Sequence, residues 1–241
     1  MTKGIVLVHG GQHTGRCWEP TVAHLMEMRP EISVLPVHLP GRDGNPADLS
    51  EVGIAECVQS VVFDIERAKL SEVVLVAHSM GGVTIPGVAE ALGKERVSRL
   101  VFIAAAVPPD GTSILEDLIG ELRETVGTRV EEPSEPAPFP REMVTELFCN
   151  GMTEDQVEFT MSQMCPESNL LATQRVDRSG MPQSIPRTWI LTARDRAVTP
   201  EQQRQHIENL GGVDDVVEID TCHDVMISEP EQLAKALVDC L

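Results

Sequence analysis

Tyrosine is absent from this chain, and aromatic residues of every kind make up only 3% of its 241 positions. Leu, Val, Ile and Met must therefore fill whatever interior it has. Basic residues are the second shortage: 19 Lys and Arg stand against 38 Asp and Glu, a formal net charge of -19. Binding to a phosphate backbone needs clustered cations that displace counterions, so this balance argues against a nucleic-acid partner. It favours solubility and weakly repels anionic ligands. Long apolar runs are missing too. None approaches the roughly 18 residues that a membrane span requires, so no membrane partner is expected. The start, "MTKGIVLVHGG", lacks the apolar stretch and cleavage site of a secretory signal. Six cysteines, at positions 17, 57, 149, 165, 222 and 240, include no C-x-x-C pair. These features predict a soluble protein of the reducing cytoplasm. With no H-E-x-x-H, no P-loop and no G-x-G-x-x-G after a strand, neither a metal nor an organic cofactor is expected.

What the chain does have is alternation between short apolar runs and segments of helical period. Buried strands are expected at 4–11, 32–41, 73–78, 99–106, 187–193 and 215–220, with Pro36 weakening the second. Helices are expected at 18–28, with Val22, Leu25 and Met26 on one face, and within 49–70, with Val58, Val61, Val62 and Ile65 in a stripe behind a Ser50 cap. Others run through about Leu92, near 200–210, and from Pro230. Strands of continuous apolar character separated by helices give an α/β fold, a mostly parallel six-stranded sheet covered on both faces. Residues 107–186 hold no convincing strand, and 130–142 pack four prolines among acidic residues as a loop. The expected division is a core of 1–106 and 187–241 carrying a largely helical cap, 107–186, between strands four and five. Met143, Met152, Met161 and Met164 would hold the cap helices together or line an adaptable pocket.

"VVLVAHSMGG", 73–82, carries a serine out of a strand into a tight turn. A nucleophile on such a turn projects its oxygen above the carboxyl edge of the sheet, and the residues two away must be small, as Ala77 and Gly81 are. Ala77 replaces the first Gly of G-x-S-x-G. Ser79 also stands at a helix N-terminus, where unpaired N–H groups favour developing negative charge. Read alone, it would be no more than a helix cap. Three further features accompany it. "HGG" at 9–11 follows the first strand, and the backbone N–H groups of Gly11 and Met80 occupy the positions of oxyanion donors. Asp195 follows the fifth strand, with Asp110 after the fourth as its rival. His223 follows the last strand, where a general base for Ser79 must stand. His24 and His206 read as helix-face residues, and His13, His78 and Cys17 as packing. The order Ser79, Asp195, His223, each after a strand, is that of a hydrolase triad.

Those segments resemble the α/β-hydrolase fold, and more closely its branch of plant methyl esterases and hydroxynitrile lyases. "LVHGGQHTGRCW" (7–18) is similar to that branch's H-G-x-x-H-x-x-x-C-W opening, "AHSMGG" to its nucleophile turn, and 191–209 and 222–230 to its acid and histidine segments. "ELFCNGMTEDQ" (146–156) is similar to its cap. The resemblance implies a serine esterase with Ser79, Asp195 and His223 as triad and Gly11 and Met80 as oxyanion donors, acting on a small-molecule ester. Lyases of the branch carry Thr at the place of Gly10 and Lys after the histidine, where this chain has Asp224; a carboxylate beside the leaving group would repel cyanide. A carbon–carbon lyase and a slow-turnover ligand receptor are the alternative readings, and a homodimer is left open.

Overall fold

The computed structural model describes residues 2–131 and 136–241. Six strands, β1 (Lys3–Val8), β2 (Ser33–Pro36), β3 (Glu72–His78), β4 (Val97–Ile103), β5 (Arg187–Thr192) and β6 (Asp215–Ile219), form one sheet in the order β2-β1-β3-β4-β5-β6. Every pairing is parallel. Pro36 is accommodated because β2 lies at the sheet edge, where a missing N–H costs no ladder bond on the outer side. β2 ends there, and Val37 N–H donates to the Leu7 carbonyl (3.1 Å).

Strand side chains alternate between two apolar layers, which is why the runs read as continuous. Leu75, Ala77, Leu100, Phe102 and Trp189 face a layer closed by α2 (Ile54–Arg67) and α3 (Ile85–Leu92). Val74, Val76, Val101 and Ile190 face the other, closed by α1 (Glu19–Met28) and the C-terminal helix that begins at Pro230. On α2, Val61 and Ile65 are buried and Val58 and Val62 pack at the margin, as the stripe requires. The cap differs from expectation. Ser50 bonds to Asp48, and α2 starts behind Gly53, whose N–H donates to Glu56 three residues on (2.9 Å). On α1, Leu25 is buried but Met26 is 60% exposed. Thr21 takes the inward place and donates to the Met226 carbonyl (2.9 Å).

Between β4 and β5 the described residues contain helices only: α4 (Ile114–Asp117), α5 (Gly120–Glu131), α6 (Arg141–Leu147), α7 (Glu154–Gln163) and α8 (Asn169–Thr173). The expected loop at 130–142 is partly overtaken by the end of α5 and the start of α6, and residues 132–135 lie outside the described residues. Met143 is buried against Val144 and Phe148, and Met152, Met161 and Met164 pack onto the same cluster. Among the described residues, no helix is long and apolar enough to cross a membrane. After β5 come α9 (Pro200–Asn209), α10 (Val225–Ser228) and α11 (Pro230–Val238).

Candidate active site

The segments that follow β1, β3, β5 and β6 carry Gly11, Ser79 with Met80, Asp195 and His223 respectively. At the end of β3, Ser79 adopts φ +49°, the left-handed region that a side chain occupies only under strain. The surroundings enforce it. The Ser79 carbonyl accepts from Ala106 N–H (2.8 Å), and a 3-10 turn, Ser79–Val83, starts at once. The turn presses onto its neighbours: a Cβ on Gly81 would meet the His9 carbonyl at 3.0 Å, and one on Gly82 the Ala106 carbonyl at 2.6 Å. Ser79 itself remains partly exposed above the sheet edge.

His223 Nδ1 donates to Asp195 Oδ2 at 2.7 Å, with both side chains buried. Asp195 is held from every side. Its Oδ1 accepts from Ala197 N–H (2.8 Å) and Val198 N–H (2.9 Å), and its Oδ2 also accepts from the Thr192 hydroxyl (2.8 Å) and Gln203 Nε2 (3.3 Å). Thr192, the last residue of β5, and Gln203, on α9, carried no individual sequence signal. The His223 segment is fastened to the serine turn through His78, whose Nε2 donates to the His223 carbonyl (3.0 Å) and whose ring lies 4.6 Å from the His223 ring. His223 thus lies against the residue that precedes Ser79; among the described residues no hydrogen bond joins the two side chains in this conformation. Phe148 of the cap tilts over His223 at 5.2 Å between centroids. Asp110, the rival acid, is far from this relay in function: it accepts from Arg178 N–H (3.0 Å) at the surface.

The "HGG" loop lies against the serine turn, since a Cβ on Gly11 would sit 3.4 Å from Met80 Sδ and one on Gly10 2.8 Å from Ser79 Cβ. Among the described residues, Gly11 N–H has no acceptor.

The sequence reading of three other residues changes. Asp224 is turned toward the loop that follows β1. It is fully buried and accepts from His13 Nε2 (Oδ2, 3.0 Å), while Oδ1 lies 4.0 Å from His78 Nε2 with no hydrogen-bond partner. Burial alone would raise the Asp224 carboxyl, but the charges and hydrogen bond of His13, then His78 and His223, hold it below the usual range. Burial likewise depresses His13, yet Asp224 and the Gly11 carbonyl outweigh it and raise its imidazole above the ordinary value. His13 is therefore an ionic partner and not mere packing. His78 is different: burial, then the neighbouring His223, push it well below the ordinary value. His206, read as a helix-face residue, is buried on α9 and joins core to cap, with Nδ1 on the Ala105 carbonyl (2.8 Å) and Nε2 on Asp117 (2.7 Å). Cys17 is buried, and all six thiols are free.

His78, His223 and Asp224 place ligand-type atoms within 4.8 Å of one another, the one such group among the described residues. Their protein partners, the His223 carbonyl, Asp195 and His13, already account for this grouping.

The sequence profile of the Alpha/beta hydrolase family matches residues 5–236. Norfluorocurarine synthase 2 of a Strychnos species is 29% identical over 98% of this chain and 94% of its own. Methylesterase 7 of Arabidopsis thaliana is 28% identical over 98% and 95%. Among solved structures, an extracellular alpha/beta-hydrolase from a Paenibacillus species superposes with a TM-score of 0.86 at 22% identity, covering 100% of this chain and 99% of its own. With this sheet order, serine turn and matched length, the chain belongs to the alpha/beta hydrolase family, with plant methylesterases among its relatives.

Proposed function

We propose that the protein is a serine hydrolase of carboxylic esters. The observation that carries this reading is the 2.7 Å contact between His223 and Asp195, on a segment bonded to the residue before a strained Ser79. In the reaction His223 Nε2 takes the Ser79 proton as Oγ adds to the ester carbonyl, and Asp195 stabilises the imidazolium. The oxyanion is held by the N–H groups of Gly11 and Met80. Collapse expels the alcohol with the proton from His223. Water then attacks the acyl-serine, losing its proton to His223, and the acid departs. No metal or organic cofactor takes part in these steps. The apolar cluster of Val83, Ala106, Ile114 and Val176, with Met80 and Leu118 against it, suits an uncharged substrate of small to medium size. Residues 107–186 serve as the cap of a core made of 1–106 and 187–241. Their contacts with the site, Phe148 on His223 and Phe139 N–H on Gln12 Oε1, support that role. Six free thiols suit a reducing cytoplasm.

The lyase alternative is disfavoured at Gly10. A Cβ there would lie 2.8 Å from Ser79 Cβ and 2.9 Å from His78 Nδ1, so the lyases' threonine would displace the serine turn. The decisive assay is a panel of nitrophenyl esters of graded chain length with methyl esters, lactones and a cyanohydrin. Ser79→Ala should lower ester turnover by several orders of magnitude, and an acyl-serine should be trapped by mass spectrometry. Unchanged hydrolysis by Ser79→Ala refutes the assignment. Tight binding of one compound with negligible turnover across the panel would indicate a receptor instead.

A further inference from the structure

The Gly11–Gln12 peptide, next to the oxyanion donor, is gripped at both ends by charged side chains. Its carbonyl accepts from His13 Nδ1 (2.7 Å) and its N–H donates to Glu167 Oε2 (2.9 Å). Each side chain is held in turn. His13 Nε2 meets Asp224 (3.0 Å) and Glu167 meets Arg42, and the Arg42 side chain is 0% exposed. Arg42 also ties back to the loop, its Nε donating to the His13 carbonyl (3.0 Å).

The loop needs such restraint. Gln12 has φ +58°, a conformation that costs a non-glycine residue about 1–3 kcal/mol and persists only where neighbours over-determine it. Two more contacts from the cap fix the same residue: Cys165 N–H on its carbonyl (2.9 Å) and Phe139 N–H on its Oε1 (2.6 Å). Both partners of His13 are acceptors, so the ring holds the peptide best with both nitrogens protonated, which the Asp224 carboxylate favours. Burying two ion pairs is costly, and fold stability alone gives little reason for it. One carboxylate oxygen of Asp224 even lacks a hydrogen-bond partner.

The geometry points to a clamp in which His13 with Asp224, and Glu167 with Arg42, fix the Gly11–Gln12 peptide and with it Gly11 Cα, the atom that carries the Gly11 N–H nitrogen, and so help hold that donor toward the oxyanion. These four are positioning residues, and the clamp rests on the ester-hydrolase reading above. Asp224 follows His223 directly and Glu167 belongs to the cap, so the oxyanion loop, the base and the cap are set by one network.

Glu167→Gln and Asp224→Asn keep shape and remove charge. Each should lower kcat on nitrophenyl acetate by on the order of tenfold to a hundredfold, the range for a displaced donor short of its removal. KM should stay within about twofold, because the donor acts on the tetrahedral state. Affinity for a phenyl trifluoromethyl ketone should fall in the same ratio as kcat, because Ser79 Oγ adds to its carbonyl, the proton passes to His223, and the resulting alkoxide sits on the donors. Arg42→Lys should retain more activity than Arg42→Gln, and it supplies the same readout where a carboxamide variant does not fold. Loss of kcat with unchanged ketone affinity would overturn the clamp, as would full activity in both carboxamide variants. If the wild-type protein shows no Ser79-dependent hydrolysis, the ester-hydrolase reading itself has failed; with that hydrolysis present, the variants judge the clamp alone.

Discussion

At the scale of single residues, Asp195 does its proposed work by accepting from five donors at once, on Thr192, Ala197, Val198, Gln203 and His223. A carboxylate satisfies all of them; an amide cannot, because one of its two positions would point N–H groups at other N–H groups. Asp195→Asn should therefore turn the imidazole to the wrong tautomer and lower kcat by on the order of 10⁴, with KM nearly unchanged, in steady-state assays on the best ester of the panel. Retention of a tenth of wild-type turnover would contradict the role. Asp195 was a candidate in the sequence, with Asp110 as its rival, because an acidic residue shortly after the fifth strand completes the order Ser79, Asp195, His223. Gln203 was not, because a glutamine on a polar helix face resembles any solvated residue until the sheet places it under Thr192 and Trp189. The orientation of Asp224 was equally hidden. It depends on His13, 211 residues away in sequence, and a local pattern cannot say which way a side chain turns when its partner is that distant.

At the scale of elements, legibility followed the length of the apolar pattern. The six strands and the longer core helices were readable because burial on one or two faces leaves a period of 2 or 3.6 in the residues. Element ends were not: the cap of α2 moved from Ser50 to Gly53 because Glu56 could return to the Gly53 N–H, a contact that a serine preference does not anticipate. Within the cap, α4 has four residues and α8 five, too few for a period to show. The stripe of α2 gives a direct test of core packing. Ile65 is fully buried beneath the sheet, whereas Val62 packs at the margin of the same cluster. Ile65→Ala should cost about 2–5 kcal/mol by the transfer and cavity terms of a core truncation, and Val62→Ala clearly less, measured as urea unfolding free energies. Equal losses would mean that α2 does not dock on the sheet by this face.

At the scale of the whole molecule, the buried histidines determine how stability responds to mild acid. His9 is buried, with Nδ1 on the Gly10 carbonyl (2.8 Å) and Nε2 accepting from Leu39 N–H (3.2 Å), so a second proton would break the Leu39 bond. Burial, then the charge of Arg42, hold its imidazole well below the ordinary value of 6.5. His78, packed among His13, His223 and Asp224, is depressed in the same direction. Below pH 6.5 the unfolded chain binds protons at both positions and the folded chain does not, so stability must fall as pH falls, by up to about 1.4 kcal/mol per pH unit for each group. His13 acts oppositely: its raised value gives a stabilisation fully present below 6.5 and lost as pH rises through that raised value. The Asp224 contribution is present above its ordinary 3.8 and is lost as pH falls through its lowered value. Between pH 6.5 and 5 both partners of the ion pair are thus saturated, and His9 and His78 set the slope. Urea titrations across that window should show unfolding free energy declining toward acid, and His9→Asn, which cannot be protonated, should flatten the decline by close to one proton. A slope unchanged by His9→Asn would mean that His9 is not held neutral in the fold, and that the first strand does not carry this histidine into a dry interior behind the Gly10–Gly11 turn.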